Sequence, residues 1–223
     1  MLIVKLRFYL MILLFPFALI EPAFSQMRLT IIDQNHTPLP NAVIEYSPSV
    51  SLTKKTTDAE KTYIMDQIDK QFAPHVLIIP VDSLVSFPNS DDIRHHVYSF
   101  STAKTFELKL YAGKPKSPIS FSKIGVVVMG CNIHDSMVGY IYVTANENTV
   151  LSNEKGEVLI APNLPLQSQI QVWHPNNSKG VSKHTIFTID PSMINSKDEI
   201  TLMITVNEPA PRDSFEEFTV HEH

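Results

Sequence analysis

The chain has 223 residues with 18 basic and 23 acidic side chains, a formal net charge of −5, and 43% hydrophobic residues. That balance, without a basic patch interleaved with aromatics, excludes nucleic acid as an expected partner. The length allows one large β core or two small ones, and a single cysteine excludes an internal disulfide.

Lys5 and Arg7, an apolar run over 8–20 and the small-residue stretch Ala23-Phe24-Ser25 read as an export signal over residues 1–25. A retained anchor is the competing reading. The run of 13 residues contains Pro16, however, and is short for a span that needs roughly 20. The expectation is therefore a periplasmic or otherwise exported protein with no stable membrane anchor after cleavage.

Strand signals dominate the rest of the chain. β-branched and aromatic runs bounded by Pro, Asn, Asp and Ser predict strands over 28–32, 42–46, 76–79, 84–87, 96–100, 105–110, 124–129, 138–143, 158–160, 170–173, 185–189 and 200–206. Tyr63, Ile64, Ile68 and Phe72 could line a helix, but 65–74 is read as an irregular first strand. Residues 47–57 read as a loop, and 207–223, with two prolines and several acidic residues, as a disordered tail. The fold class is all-β.

The chemistry concentrates in Cys131-Asn132-Ile133-His134-Asp135-Ser136-Met137, with His95 thirty-six residues upstream of the cysteine. Two imidazoles, a thiolate and a thioether form the ligand set of a blue-copper electron-transfer site, because soft sulfur favours copper and imidazole suits either oxidation state. Cys131 alone reads rather as a buried small hydrophobe, and Met137 alone at least as readily as core. Their spacing from His134 is what marks them as ligands.

The stretch Asn89-x-Asp91-x-x-x-His95 and the spacing C-x2-H-x2-M resemble the cupredoxins, and the short ligand loop is similar to that of amicyanin. Met65-Asp66-Gln67, Phe72-Ala73-Pro74-His75-Val76, Arg94-His95-His96-Val97-Tyr98-Ser99-Phe100 and Gly130-Cys131-Asn132-Ile133-His134-Asp135 resemble exported bacterial cupredoxins labelled methylamine utilization proteins. Nothing in these residues reads an amine. The resemblance implies a Greek-key β-sandwich over 59–145 holding one type 1 copper, with His95, Cys131 and His134 as strong ligands and Met137 as the weak axial one.

His96 stands where many cupredoxins place Asn, Ser or Thr; it is a supporting donor, an alternative ligand or a surface residue. His95 is preferred because a one-residue shift along a strand turns the side chain to the other face. Asp135 replaces the proline of amicyanin-type loops, and its carboxylate would favour the oxidised metal, blunted by solvent. Met65, His75 and His96 could form a second copper or zinc site, against the ordinary reading of hydrogen-bonded or solvent-facing histidines. Trp173 reads as core and His174 as a strand end.

The outer segments carry a different pattern. Residues 31–44 read as strand, turn, strand, and 152–158 as a second tight turn entering a strand. Together they resemble the two halves of a carboxypeptidase-regulatory-like β-sandwich, although Asn35-His36 stands in place of the expected glycine turn and Asn153 where Asp is usual. This implies a second sandwich from 26–58 and 146–206, with the 59–145 module inserted in it or packed beside it.

The expected function is an exported type 1 copper protein carrying single electrons to and from an unidentified redox protein. A copper-binding or copper-delivery protein and a metal-free structural or glycan-binding sandwich are the alternatives. An enzyme is not expected, since a filled coordination shell leaves no open position for substrate.

Overall fold

The computed structural model describes residues 26–47, 61–115, 117–160, 164–165 and 167–208. The export signal, most of the 47–57 loop and the tail beyond 208 lie outside the described residues. In chain order the strands are β1 (Met27–Ile32), β2 (Val43–Tyr46), β3 (Thr62–Ile64), β4 (Asp66–Ile68), β5 (Gln71–Ala73), β6 (Val76–Pro80), β7 (Ser83–Ser86), β8 (His95–Ser101) and β9 (Lys104–Tyr111). They continue with β10 (Ile119–Phe121), β11 (Gly125–Cys131), β12 (His134–Thr144), β13 (Thr149–Leu151), β14 (Glu157–Ile160), β15 (Gln169–Trp173), β16 (Thr185–Thr188) and β17 (Glu199–Met203), with a 3-10 turn at Pro191–Met193.

Alternating side chains sort these strands into two cores. In β1, Met27, Leu29 and Ile31 point inward, as the period of two requires. A sheet ordered β14-β1-β17 faces one ordered β13-β2-β15-β16. Leu29, Ile31, Ile44, Ile170, Val172, Ile200 and Leu202 fill the space between them. The two ends of the described chain thus build one sandwich.

The middle of the chain builds the other, with β6-β12-β11-β8-β9 packed over β10-β7-β3. Val97, Val127, Met129, Ile141 and Val143 from the larger sheet meet Val85 and Phe121 from the smaller. Strands adjacent in a sheet but distant in sequence require crossovers between sheets, as in a Greek key.

β12 is buried on both faces. Met137, Ile141 and Val143 enter the core of the middle sandwich, while Tyr142, flanked by the partly buried Tyr140, packs with Val43, Val76 and Trp173. Trp173 is fully buried, its ring lies 5.7 Å from Tyr140 and 5.6 Å from Tyr142, and its indole N–H donates to the Val181 carbonyl at 2.6 Å. The two sandwiches therefore share an aromatic seam.

The two outer turns are held by side-chain acceptors. The Asp33 carboxylate accepts the amides of Asn35 and Thr37 at 2.8 and 2.7 Å, which holds His36 at φ 63 without a glycine. Those amide bonds, that from Thr37 first, also lower the Asp33 pKa against a smaller effect of desolvation. Asn153 needs only one acceptor oxygen, which takes the Lys155 and Glu157 amides at 2.9 and 3.0 Å.

Several predicted elements are corrected. Residues 65–74 form neither a helix nor one irregular strand but the hairpin β4–β5, turned by Asp69 and Lys70 at φ 52 and 59. β3, β10 and β13 were not predicted; each has three residues, too few to show a period. β12 begins at His134, not at the predicted 138, so much of the interval between the strands predicted over 124–129 and 138–143 is itself strand.

Candidate metal centre

β11 and β12 run in regular antiparallel register from Gly125↔Val143 to Gly130↔Val138, and then Cys131 pairs with His134. Continued register would have set Cys131 opposite Met137. Instead Asp135, Ser136 and Met137 are extra on the β12 side, a bulge that re-aims side chains at the sheet's end. Cys131 and His134 become cross-strand neighbours in consequence.

On its other side Cys131 pairs with Val97 of β8. In β8 the inward residues are His95, Val97 and Ser99, so His95 faces the same interior as Cys131. The ligand atoms of His95, Cys131 and His134 all lie within 4.8 Å of one another, and this group could hold a metal ion. His95 Nδ1 is 3.5 Å from the Cys131 sulfur, and the rings of His95 and His134 have centroids 5.3 Å apart.

His95 is fully buried and Cys131 is 2% exposed; His134 is half-buried. His134 Nδ1 is shielded from solvent yet has no hydrogen-bond partner, an arrangement that costs about 1–3 kcal/mol unless something fills the valence. Desolvation, followed by the charges of His95 and Lys70, lowers the His134 pKa against the opposing pull of Asp91. A neutral imidazole with a free lone pair is what a metal requires.

The loop before His95 is held by its own polar residues. The Asn89 side-chain amide donates to the carbonyls of Ile93 at 2.8 Å and Tyr111 at 2.9 Å, and its oxygen accepts the Asp91 amide at 3.1 Å. The Asp91 carboxylate meets His95 Nε2 at 2.6 Å. Burial raises the Asp91 pKa, but the hydrogen bonds from His95, Lys70 and Asp69 outweigh it and the net shift is downward.

Met137 is 1% exposed and packs in the cluster that contains Cys131. Met65, also fully buried, belongs to that cluster. His96 points to the opposite face and pairs with Glu107 at 2.8 Å. His75 lies edge-on to Tyr140 at 5.3 Å. Met65, His75 and His96 thus occupy three different environments. Asp135 lies in β12, but its side chain is outside the described residues. His174 is satisfied within the outer sandwich, with Nε2 3.2 Å from the Pro40 carbonyl and Nδ1 accepting the Asn176 amide at 3.1 Å.

Two residues near the site have roles that the sequence did not assign. Tyr111 donates to the Phe87 carbonyl at 2.8 Å, and burial above all pushes its pKa up to about 12. Fully buried Gln67 donates to the Pro88 carbonyl at 2.9 Å and to Tyr111 Oη at 2.5 Å, while its Oε1 has no partner. A glutamine in a three-residue strand gives no sequence signal of burial.

The sheets and the site together define a two-sheet β-sandwich with a buried His-Cys-His group at one sheet end that could hold a metal ion. No family model matches the chain, and no curated protein matches it. Among solved structures it is similar to a copper-containing nitrite reductase from Thermus scotoductus SA-01, with 26% identity, TM-score 0.36 and coverage of 44% of this chain and 25% of that one. The chain therefore spans about a quarter of the reductase's length. A purple cupredoxin from Nitrosopumilus maritimus is 21% identical, with TM-score 0.33, 37% of this chain and 99% of that chain covered. A reduced Cu(I) amicyanin variant is 17% identical, with TM-score 0.32, 47% and 99% covered.

Proposed function

We propose that this is an exported type 1 copper protein that carries single electrons between redox partners. The observation that supports it most is the convergence of one cysteine sulfur and two imidazoles within 4.8 Å, with His134 Nδ1 buried and unpartnered among them. Those donors fit copper, since the sulfur is soft and both imidazoles are shielded. Bound copper supplies a one-electron couple, Cu(II) to Cu(I), that no side chain here provides.

The protein's part is to hold the donors still. Cys131 and His134 are fixed by paired strands, His95 by β8 and the Asp91 carboxylate, and Met137, buried in the same core cluster as Cys131, would offer a thioether to a bound copper. Such a frame resists the change of shape that copper would otherwise undergo on gaining an electron. His134 is the half-exposed ligand, next to Ile133, which is 46% exposed. Its ring edge is the proposed contact for a redox partner, with apolar surface beside it.

Anaerobic titration of the exported chain with copper tests this. The expected result is one copper per chain, an intense visible thiolate-to-copper band, the narrow hyperfine splitting of a type 1 site and a reversible one-electron couple, with the colour lost in Cys131→Ser. Colourless uptake of exchangeable or multiple Cu(I) would overturn the carrier reading in favour of copper delivery. Absence of any uptake would return the chain to a metal-free sandwich.

A further inference from the structure

We propose that Asp91 is a positioning residue for His95, and that its carboxylate ties the ring to the β4–β5 turn and biases the site toward the oxidised metal. The inference rests on the copper reading and extends it to how the site is set.

A neutral imidazole carries one proton on two nitrogens, and its partners decide which one. An ionised carboxylate can only accept, so the 2.6 Å contact between Asp91 Oδ2 and His95 Nε2 places the proton on Nε2. The lone pair is then on Nδ1, the atom 3.5 Å from the Cys131 sulfur. The carboxylate thereby selects the nitrogen that faces the other ligands.

Asp91 is itself clamped. Its Oδ1 accepts the Asp69 amide at 2.7 Å and its Oδ2 the Lys70 amide at 3.0 Å. Two successive residues at positive φ present both amides to one side, a concavity of the kind that binds anions. The hairpin is in turn fastened to the loop of Asp91, with the Ser90 amide donating to the Gln67 carbonyl at 3.0 Å and the Ser90 hydroxyl to Asp66 at 2.8 Å. The ring, the carboxylate and the turn form one connected unit.

β8 also holds a comparison. His96 meets Glu107 at 2.8 Å, nearly the same separation, but with side chains 19% and 52% exposed against 0% and 11% for His95 and Asp91. Solvent screens the outer pair, whereas the inner carboxylate sits against a buried ligand ring with little water to answer its charge. A fixed negative charge there favours Cu(II), the more positive state, over Cu(I). Carboxylates that support ligand histidines in this way affect metal affinity by about 10–100-fold on removal.

The test uses Asp91→Ala, Asp91→Asn and, as control, Glu107→Gln. In the metal-free protein, nitrogen chemical shifts of the histidine rings should show wild-type His95 as a single Nε2–H tautomer. Asp91→Ala should give mixed tautomers, while Asp91→Asn, whose amide oxygen can still accept, should retain the wild-type form.

In the copper-loaded protein, both variants should lower the ratio of Cu(II) to Cu(I) affinity by about tenfold, a rise in potential of about 59 mV for a one-electron couple. Glu107→Gln should leave tautomer and potential unchanged. The proposal is overturned if wild-type His95 carries its proton on Nδ1, or if Asp91→Asn leaves the potential where it was. Failure of the wild-type chain to take up copper would remove the copper reading, while the metal-free spectra would still decide the tautomer.

Discussion

Gly139 is where a single methyl group should disturb both the fold and the metal centre. A Cβ there would lie 2.6 Å from Cβ, 2.8 Å from Cγ and 2.9 Å from Cδ2 of Phe72, against 3.4–4 Å for ordinary contact. The nearest of these atoms is itself a Cβ, which no rotamer change can move. β5 and β12 must therefore separate by about 0.8 Å to reach the lower edge of ordinary contact. Overpacking of this kind costs about 1–3 kcal/mol, and Gly139→Ala should lower the urea-unfolding free energy by that amount. Phe72 belongs to the hairpin whose turn grips Asp91, so the visible and paramagnetic spectra of the copper-loaded variant should also shift. A loss below about 0.5 kcal/mol, the usual scatter of benign surface changes, would refute the reasoning. So would a full loss of stability with unchanged spectra, for the part that links the hairpin to the metal centre.

Two further outcomes concern the outer sandwich. Burial, opposed by the Pro40 hydrogen bond and reinforced by His75, lowers the His174 pKa from 6.5 to about 4. A base with a depressed folded pKa binds its proton more readily when unfolded, so stability is complete above pH 6.5 and falls as the pH drops from there toward 4. The full loss is about 3 kcal/mol. Urea titrations across that window should show the slope, and His174→Gln should flatten most of it; an equal slope in the variant contradicts the assignment. Trp173→Ala empties the aromatic seam and leaves the Val181 carbonyl without its donor, with an expected cost of about 3–5 kcal/mol. Unfolding should then separate into two transitions, and a single transition with less than about 1 kcal/mol lost would show that the seam does not couple the sandwiches.

The candidate site was legible because its signal is local. Cys131, His134 and Met137 fall within seven residues of chain, and the period of two in a strand suffices to turn His95 inward and His96 outward. What holds those side chains was not legible. Asp69-Lys70 lacks the Asn-Gly or Asp-Gly pair that marks a two-residue hairpin, so nothing announced that a turn would deliver two amides to Asp91. The three-residue bulge in β12 was equally hidden, since in sequence it looks like the end of a loop. The same limit applies to the missing glycine at Asn35-His36, where the Asp33 side chain supplies the constraint that backbone freedom would otherwise provide.

β12 explains why these parts must be considered together. A strand exposed on one face would alternate apolar and polar residues, but Val138-Gly139-Tyr140-Ile141-Tyr142-Val143 is continuous, as expected of a strand covered on both sides. One cover is the core beneath the cysteine and the other is Trp173. The same strand begins with His134 and carries Gly139 against Phe72. Packing in the seam, seating of the hairpin and placement of His134 are thus constrained by a single run of eleven residues. A substitution that shifts its register by one would exchange Met137, Ile141 and Val143 for Val138, Tyr140 and Tyr142 in the core. That exchange would cost the metal centre and the junction between the sandwiches at once, which is why both faces of this strand, rather than the ligand loop alone, hold the site in place.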